Sequence, residues 1–389
     1  MTMIYNEDCT LPKEYVEQLS AEGMEALPEM VRVLVNEAMQ IERAKHIHAT
    51  PYERKEERSG HSNGFKPKTV KTRIGEITFA VPQVREGGFY PGALEKGLRS
   101  ERALTLTLAE MYVQGVSTRK VAAITERLCG TEVSASQVSR AAEQLDELLE
   151  AWRRRPLGEV VYLYLDARYE KVRQAGRVQD AAILIASGVK KDGKRAILGI
   201  SVSLSEAETH WRVFLEELVG RGLHGVRLII SDDHMGLEAA RKAVFSGIPW
   251  QRCQFHLQQN AQSYVPRVSM RREVAEEIRT IFGAPDQSMA DKYLKLAVEK
   301  YSACAPKLAD WMEANIPEGF TVFSFPKDHW RRIRTTNSLE RLSQEIKRRT
   351  RVVQVFPNDQ SCLRLISAVV MEFGEEYEFG RVYLEMSSG

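Results

Sequence analysis

VVYLYLDA at residues 160–167, DAAILIASGV at 180–189 and KRAILGISVS at 194–203 read as three β-strands, each a short run of aliphatic, β-branched and aromatic side chains. Their connections are short and contain Gly176, Asp192 and Gly193, so the strands form an antiparallel meander. Working outward, EAETHWRVFLEELVGRG (206–222) is a helical stretch with Trp211, Phe214, Leu215 and Leu218 on one side. VRLIISDD (226–233) is a further strand, HMGLEAARKAVF (234–245) a further helix, and WQRCQFHLQQ (250–259) a short strand leading into a helix.

The order strand, strand, strand, helix, strand, helix, strand, helix is mixed α/β. Three antiparallel strands extended by parallel crossover strands match the ribonuclease H-like topology, an order that other α+β folds share. From Val268 to about Asn315 the pattern is purely helical, with Val274, Ile278 and Phe282 on one stripe and Leu294, Val298 and Tyr301 on another. The last clear helix opens at TTNSLERLSQEIKRR (335–349).

Upstream of the strands, residues from Arg102 to Trp152 read as three helices separated by Gly115-Val116-Ser117 and by Gly130 to Ser134. Short helices with a tight glycine-containing turn are the pattern of a helix-turn-helix, and also of a plain three-helix bundle. Ser117 is the expected N-cap of a helix carrying Val121, Ile124 and Leu128. Ser134 is the expected N-cap of a helix whose Ser136, Gln137, Ser139 and Arg140 face bases or phosphates. The cluster Arg153-Arg154-Arg155-Pro156 reads as a linker.

The chain has 389 residues, more than one core usually organises, and its 43% hydrophobic and 28% charged shares exclude a disordered protein. Fifty-five Lys plus Arg against fifty-three Asp plus Glu leave a net charge of +2, with no overall signature of a nucleic-acid partner. The total hides opposite biases. Residues 1–50 are acidic, including Glu7 and Asp8, and Met30, Val31, Leu34, Val35, Ala38, Met39 and Ile41 recur at helical spacing. That amphipathic helix docks on its own domain, on another surface or on a second copy. Then Arg54, Lys55, Arg58, Lys66, Lys68, Lys71 and Arg73 accumulate, and KTVKTRIGEITFAVPQV (68–84) reads as a hairpin turning around Gly75-Glu76. Its basic face suits a phosphate backbone or plain solvent. Cys9, Cys129, Cys253, Cys304 and Cys362 are odd in number and scattered, which favours a reducing compartment over a disulfide framework. No secretory signal and no long apolar run is present, so a cytoplasmic protein without a membrane partner is expected.

Two carboxylates close buried strands: Asp166 ends VVYLYL and Asp232 ends VRLII. A helix cap or a turn explains most such residues, and Asp233 is well placed to cap the following helix. Asp166 is not explained so easily, since ARYEKVR after it shows no turn chemistry until Gly176. The third acid is Glu340, amid Arg331, Arg332, Arg334, Arg341, Lys347, Arg348, Arg349 and Arg351. Asn337 with Glu340 fits a capping box, which would leave Glu340 a purely structural role. Leu339, Leu342 and Ile346 mark the buried stripe beside it. Two Asp and one Glu from separate elements also supply the oxygen ligands Mg²⁺ takes. Two such ions, about 3.5–4 Å apart, serve in-line displacement at phosphorus.

YLYLDARYEKVR, the run 205–245, WQRCQFHLQQN, IRTIFGAP and HWRRIRTTNSLERLSQEIKRRTRVVQVFPN closely resemble bacterial Mutator-type insertion-sequence transposases. The resemblance extends upstream through EMYVQGVSTRKVAAITERLCGTEVSASQVSR and weakens only over the first fifty residues. It implies a DDE-type transposase on a ribonuclease H-like core, with a helical insertion before the final Glu. Carried over by position, the acids are Asp166 in LDARYEKV, the leading Asp of SDDHMGL, Asp232, and Glu340 in TTNSLER. Ser343 stands after LERL where the resemblance leads to the expectation of Asn in many relatives. The resemblance further implies binding of terminal inverted repeats, cleavage by water, strand transfer by the exposed 3′-OH, and a copy-out, paste-in route through a circular intermediate.

The expected architecture is therefore multidomain α+β. A helical arm for dimerisation or DNA binding spans 1–57, a basic β-hairpin region 58–100, a helix-turn-helix DNA-binding domain 101–155 and a ribonuclease H-like catalytic domain 156–389, with its helical insertion at about 260–328. Expected DNA contacts are Lys66, Lys68, Lys71, Arg119, Ser136, Arg140, Arg331, Arg334, Lys347 and Arg348. Mg²⁺ is the expected cofactor, with Mn²⁺ able to substitute; the partners are double-stranded DNA, both element ends and target, and a second copy of the chain. The CxxH pair Cys253 and His256 falls short of the four ligands of structural zinc, with His210, His234, Cys304 and His329 scattered, so packing or hydrogen bonding is expected instead. His234 could touch a phosphate or a metal-bound water, or simply start a helix, and Trp250 and Trp330 could stack on a base or pack in the core. The competing class is a sequence-specific DNA-binding regulator with an inactive nuclease-like core. A tyrosine recombinase is disfavoured by the α/β order and by the lack of a catalytic Arg/His/Tyr set.

Overall fold

The computed structural model describes residues 13–50, 53, 58–85, 88–94, 96 and 100–386. Glu7, Asp8, Cys9, Arg54 and Lys55 lie outside the described residues. The chain divides into two units, Met1–Gln144 and Leu145–Gly389.

In the first unit, α1 (Lys13–Glu22) precedes α2 (Leu27–Ile47), and β1 (Ser62–Thr72) pairs antiparallel with β2 (Gly75–Val84). The amphipathic face of α2 is covered from within its own unit: Met39, Val31 and Val35 pack with Val70, Ile77, Phe79 and Val81 of the hairpin. Leu34 and Ile41 of the same helix stay exposed. The hairpin turns at Arg73-Ile74, before the expected Gly75-Glu76, because Thr72 pairs with Gly75. Gly75 has φ +114°, which L side chains rarely adopt, and Thr72 Oγ1 closes the turn by accepting from Ile74 N–H and donating to Gly75 O.

Helices α3 (Arg102–Val113), α4 (Thr118–Cys129) and α5 (Ala135–Glu143) follow. Ser117 caps α4 by accepting from Lys120 N–H, and Ser134 forms a full capping box with Gln137 at α5, as their positions predicted. The buried side of α4 is Val121 and Thr125, whereas Ile124 and Leu128 are 36% and 76% exposed. The expected third helix is two: the chain breaks at Gln144-Leu145, where neither Gly nor Pro signals an end, and α6 (Asp146–Arg153) opens the second unit. There Leu149 is buried and Asp146 takes both ends of the buried Arg364 guanidinium, at 2.6 and 2.7 Å.

The second unit is built on a five-stranded sheet of β3 (Val160–Gln174), β4 (Arg177–Lys190), β5 (Arg195–Ser203), β6 (Leu228–Ser231) and β7 (Trp250–Arg252), in the order β5-β4-β3-β6-β7. The first three are antiparallel, and β6 and β7 extend the sheet in parallel with β3. Strand β3 runs on past Asp166 and turns only at Ala175-Gly176, both with positive φ. Leu163, Leu165, Leu184 and Ala186 meet Trp211, Phe214, Leu215 and Leu218 of α7 (Glu208–Gly220) and Leu237 and Ala240 of α8 (Met235–Val244). The alternate residues of β3 face the opposite way, toward the C-terminal helices: Tyr164 donates to Arg332 O, and Tyr162 shares a hydrogen bond with buried His329.

After β7, α9 (Gln254–Ala261), α10 (Arg271–Phe282), α11 (Gln287–Ser302) and α12 (Pro306–Asn315) surround a core of their own, including Leu257, Ile278, Leu294, Ala297 and Met312. This helical segment is stitched back to the sheet by buried Arg252, which reaches Glu318 at 2.7 Å and Asn315 at 3.0 Å. Then come α13 (Trp330–Ile333), α14 (Asn337–Thr350) and α15 (Asp359–Phe379). The last helix is therefore α15, beyond the one expected to close the chain. It buries Leu365, Ile366, Val369, Val370 and Phe373, apolar on nearly every side, and so carries no clean stripe. Trp250 and Trp330 are held by indole hydrogen bonds to Ser231 Oγ and Phe325 O. Among the described residues no helix is long and apolar enough to cross a membrane.

Candidate active site

The parallel pairing of β3 with β6 matches Tyr162 to Leu228, Leu163 to Ile229 and Tyr164 to Ile230. Two residues on from Tyr164 is Asp166, within β3, and two on from Ile230 is Asp232, just past the end of β6, so one register leads to both acids on neighbouring strands, which lie about 4.8 Å apart in any sheet. Asp166 Oδ1 accepts from Ala167 N–H at 3.0 Å and Asp232 Oδ1 from Asp233 N–H at 2.8 Å. Burial pushes the Asp166 carboxyl up to about 6; His256 and the Ala167 N–H oppose the rise, while the negative charges of Asp232 and Glu206 add to it.

Asp233 does not cap α8. Its carboxylate pairs with Arg252 at 3.2 Å, and the N-cap residue is His234, whose side chain makes no capping bond. His234 Nδ1 stands 3.8 Å from Glu206 Oε2. Burial pushes the Tyr169 hydroxyl above its ordinary range, and Glu206, between β5 and α7, adds to the rise. Gly236 permits this approach, since a Cβ there would lie 2.1 Å from Glu206 O. The sequence reading missed Glu206, which carries no signal beyond an acid preceding a helix.

His256, in the first turn of α9, places Nδ1 3.9 Å from Asp232 Oδ2, buried and without a hydrogen bond. The Cys253 thiol pushes His256 up to about 9; burial opposes, and Asp232 and Asp166 reinforce. Cys253 is itself buried and accepts from Thr336 N–H and Oγ1 at 3.3 and 3.4 Å.

Thr336 is the N-cap residue of α14, so Glu340 lies one position too deep for the capping box expected with Asn337, and no side-chain capping bond forms. No hydrogen bond or ion pair to a described residue engages the Glu340 carboxylate. Leu339, Leu342 and Ile346 are fully buried, with Glu340 on their flank. Farther along β3, Arg168 Nη1 donates to Ser343 O of α14, Arg168 Nη2 pairs with Glu170 at 2.5 Å, and Thr350 Oγ1 donates to Glu170 at 2.9 Å. Asp166 and Asp232 are thus neighbours, and Glu340 is tied to them through the mounting of its helix. Among the described residues no group of three or more His, Cys, Asp or Glu side chains is gathered closely enough to hold a metal ion.

The basic residues near Glu340 divide by partner. Arg348 and Arg349 pair with Glu345, Arg341 faces Glu376 at 3.7 Å, and Arg332 stacks on Tyr383. Arg331 and Lys347 are exposed, and Arg334 is partly so. In the first unit, Arg119, Ser136 and Arg140 are exposed on α4 and α5, as is Lys66 on β1. Lys68 is held by the Tyr90 hydroxyl at 2.8 Å, and Lys71 by Glu132 O and Glu76.

The profile described as "Transposase, Mutator family" matches residues 8–380. The chain is 57% identical to the transposase for insertion sequence element IS406 of Burkholderia multivorans, over 94% of this chain and 95% of that one. It is 43% identical to the transposase for ISRM5 of Rhizobium meliloti, over 95% and 93%. To the transposase for IS256 in transposon Tn4001 of Staphylococcus aureus it is 38% identical, over 90% of each. The match runs through both units and includes Asp166, Asp232 and Glu340: the chain belongs to the Mutator family of transposases.

Proposed function

We propose that the protein is a DDE-type DNA transposase whose acidic centre is Asp166, Asp232 and Glu340 on a ribonuclease H-like core. The observation that carries this reading is the parallel register that leads to Asp166, within β3, and to Asp232, just past the end of neighbouring β6. The strand order β5-β4-β3-β6-β7, three antiparallel and two parallel, supports the core assignment. The helical segment between β7 and α14 supports the reading of an insertion before the final acid.

The donor set suits a hard divalent cation. All three side chains offer carboxylate oxygens, burial and like charge hold Asp166 up at about 6, and the Glu340 carboxylate is not engaged by any described residue. Mg²⁺, or Mn²⁺ in its place, would supply charge neutralisation at the phosphoryl oxygens and lower the cost of deprotonating the attacking oxygen. Asp166, Asp232 and Glu340 would hold it. In the first step a water oxygen bonds to phosphorus, the P–O3′ bond breaks, and the departing 3′ oxygen leaves as a hydroxyl. In the second, that 3′-OH loses its proton, attacks a target phosphodiester and releases a new 3′-OH. Exposed Arg331 and Lys347 flank the third acid and suit the phosphates on either side.

We also assign α4 and α5 as a helix-turn-helix that reads the element's terminal repeats as a dimer, with Arg119, Ser136 and Arg140 on its open face. A copy-out, paste-in route through a circular intermediate is part of the same proposal. The test uses duplexes bearing the DNA that flanks the reading frame. Asp166→Asn, Asp232→Asn and Glu340→Gln should each abolish Mg²⁺-dependent cleavage and leave end binding intact. Full cleavage by any one removes that residue from the centre. Specific binding by the unaltered protein with no cleavage in Mg²⁺ or Mn²⁺ overturns the enzyme reading in favour of a regulator.

A further inference from the structure

We propose that Arg168 is a positioning residue that sets Glu340 against Asp166 by fixing the register of α14 along β3; the inference rests on the acidic centre proposed above. Three cross-links tie the helix and the segment after it to the strand, and they advance together. Arg168 holds Ser343 O, Glu170 holds Thr350 Oγ1, and Phe356 exchanges main-chain hydrogen bonds with Lys171 and Arg173, each 2.8 Å. The helix therefore runs in the same sense as the strand. Glu340 precedes Ser343 by three residues, about 4.5 Å along a helix axis. Asp166 precedes Arg168 by two, about 6.6 Å along a strand and on the same face. Counted back from the Arg168–Ser343 link, Glu340 lies about one helical turn and Asp166 one pleat away, on the helix and the strand that the link joins.

Two features mark this link as more than packing. Arg168 and Glu170 side chains are only 15% and 13% exposed, so the pair is largely desolvated, and the planar fork of Arg168 meets two acceptors at once, which a lysine ammonium on a flexible stem cannot reproduce. The link is also under-satisfied: Arg168 Nε and Ser343 Oγ are both buried without partners. A contact selected for stability alone gains nothing from two such atoms, whereas one selected to hold a main-chain carbonyl at a set place can tolerate them.

The experiment compares the full-length protein with Arg168→Lys, Glu170→Gln and Glu340→Gln. Each is read by Mn²⁺ affinity from electron paramagnetic resonance of free Mn²⁺, by end cleavage, by end binding and by thermal midpoint. Arg168→Lys should weaken Mn²⁺ binding by about 10-fold and slow cleavage by about 100-fold, with end binding unchanged and the protein folded. Glu170→Gln, which keeps the bond to Ser343 O, should weaken Mn²⁺ binding less. A purely structural role predicts a lower thermal midpoint with Mn²⁺ affinity unmoved below it, and that result in Arg168→Lys overturns the proposal. Should Arg168→Lys not fold, unchanged Mn²⁺ affinity in folded Glu170→Gln overturns it equally. If Glu340→Gln itself leaves Mn²⁺ binding and cleavage intact, the acidic centre fails. If Glu340→Gln is dead while Arg168→Lys is normal, only the positioning role fails.

Discussion

Cys253 Sγ accepts two hydrogen bonds from Thr336, one from the backbone N–H at 3.3 Å and one from the hydroxyl at 3.4 Å. The cysteine sits at the start of α9, directly after β7, and the threonine at the start of α14, four residues before Glu340. Gln254 N–H donates to Arg334 O at 3.0 Å beside them, so the segment entering α14 is pinned to the same corner that holds His256 against Asp232. The α14 helix is thus anchored at its entry near the second acid and along its length near the first.

Loss of the thiol leaves two buried donors unsatisfied. Cys253→Ala should cost about 2 kcal/mol in urea unfolding, Thr336→Val about 1 kcal/mol, and Cys253→Ser, which keeps an oxygen acceptor, less than Cys253→Ala. Because the thiol is occupied by Thr336, a strong zinc chelator should leave the unfolding midpoint unchanged. A chelator-induced drop comparable to that of Cys253→Ala would make the cysteine a metal ligand.

The meander and the two acids are legible in the sequence because a strand buried on both faces is an uninterrupted apolar run, and Asp166 or Asp232 interrupts it sharply, although β3 does not end at Asp166 but continues to Gln174. Capping at Ser117 and Ser134 is legible because it is local chemistry. What escapes is tertiary. Helix α15 is apolar almost all round and shows no period, and the break at Gln144 has no turn residue to mark it. Asn337 and Glu340 mimic a capping box one residue out of register with the helix that forms. Arg168 and Glu170 follow Asp166 at intervals of two, which shows that they share its face but not that α14 lies on that face. The charge total of +2 is uninformative for a related reason: Arg341, Arg348, Arg349 and Arg364 face acids within the second unit, and only a part of the basic residues is open to a partner.

Glu345 gives a pH test on α14. Hydrogen bonding from Arg348, joined by Arg349, holds its carboxyl down at about 2, against the burial that opposes it. A carboxylate whose folded pKa is depressed contributes stability above its unfolded value, about 4.3, and loses it as pH falls toward the folded value. Thermal midpoints measured from pH 6 to pH 2.5 should therefore fall more steeply in the unaltered protein than in Glu345→Gln. The two should differ by about 1–2 kcal/mol at neutral pH and converge in acid. Parallel curves would remove Glu345 from the account.

Gly193 joins the β4–β5 turn to the C-terminal segment. Its carbonyl accepts from Tyr383 and Leu384 N–H at 2.9 and 3.1 Å, and a Cβ there would lie 1.9 Å from Leu384 O, at φ +77°. Gly193→Ala combines left-handed strain with a backbone clash and should cost about 2–3 kcal/mol. The segment after α15 should then become protease-sensitive, since Tyr383, which Arg195 and Arg332 clasp, loses its main-chain anchor. Unchanged stability with unchanged proteolysis would show that the segment docks without this turn.

The basic residues of the first unit separate into those that hold the fold and those left exposed. Lys71 spends its ammonium on Glu132 O and Glu76, joining the hairpin to the α4–α5 connection, whereas Lys66, Arg119 and Arg140 are exposed. Each phosphate contact adds about 0.9 to the slope of log binding constant against log salt on duplex DNA. Arg140→Ala or Arg119→Ala should accordingly weaken end binding and reduce the salt slope by about 1 if the lost contact is to phosphate, with thermal stability unchanged. A base-reading contact would instead weaken the specific end and leave binding to unrelated DNA as before. Lys71→Ala should do the reverse of the phosphate case, lowering stability with little change in slope. A full loss of salt dependence in Lys71→Ala, beside unaltered binding in Arg140→Ala, would move the DNA-facing surface from the helices to the hairpin.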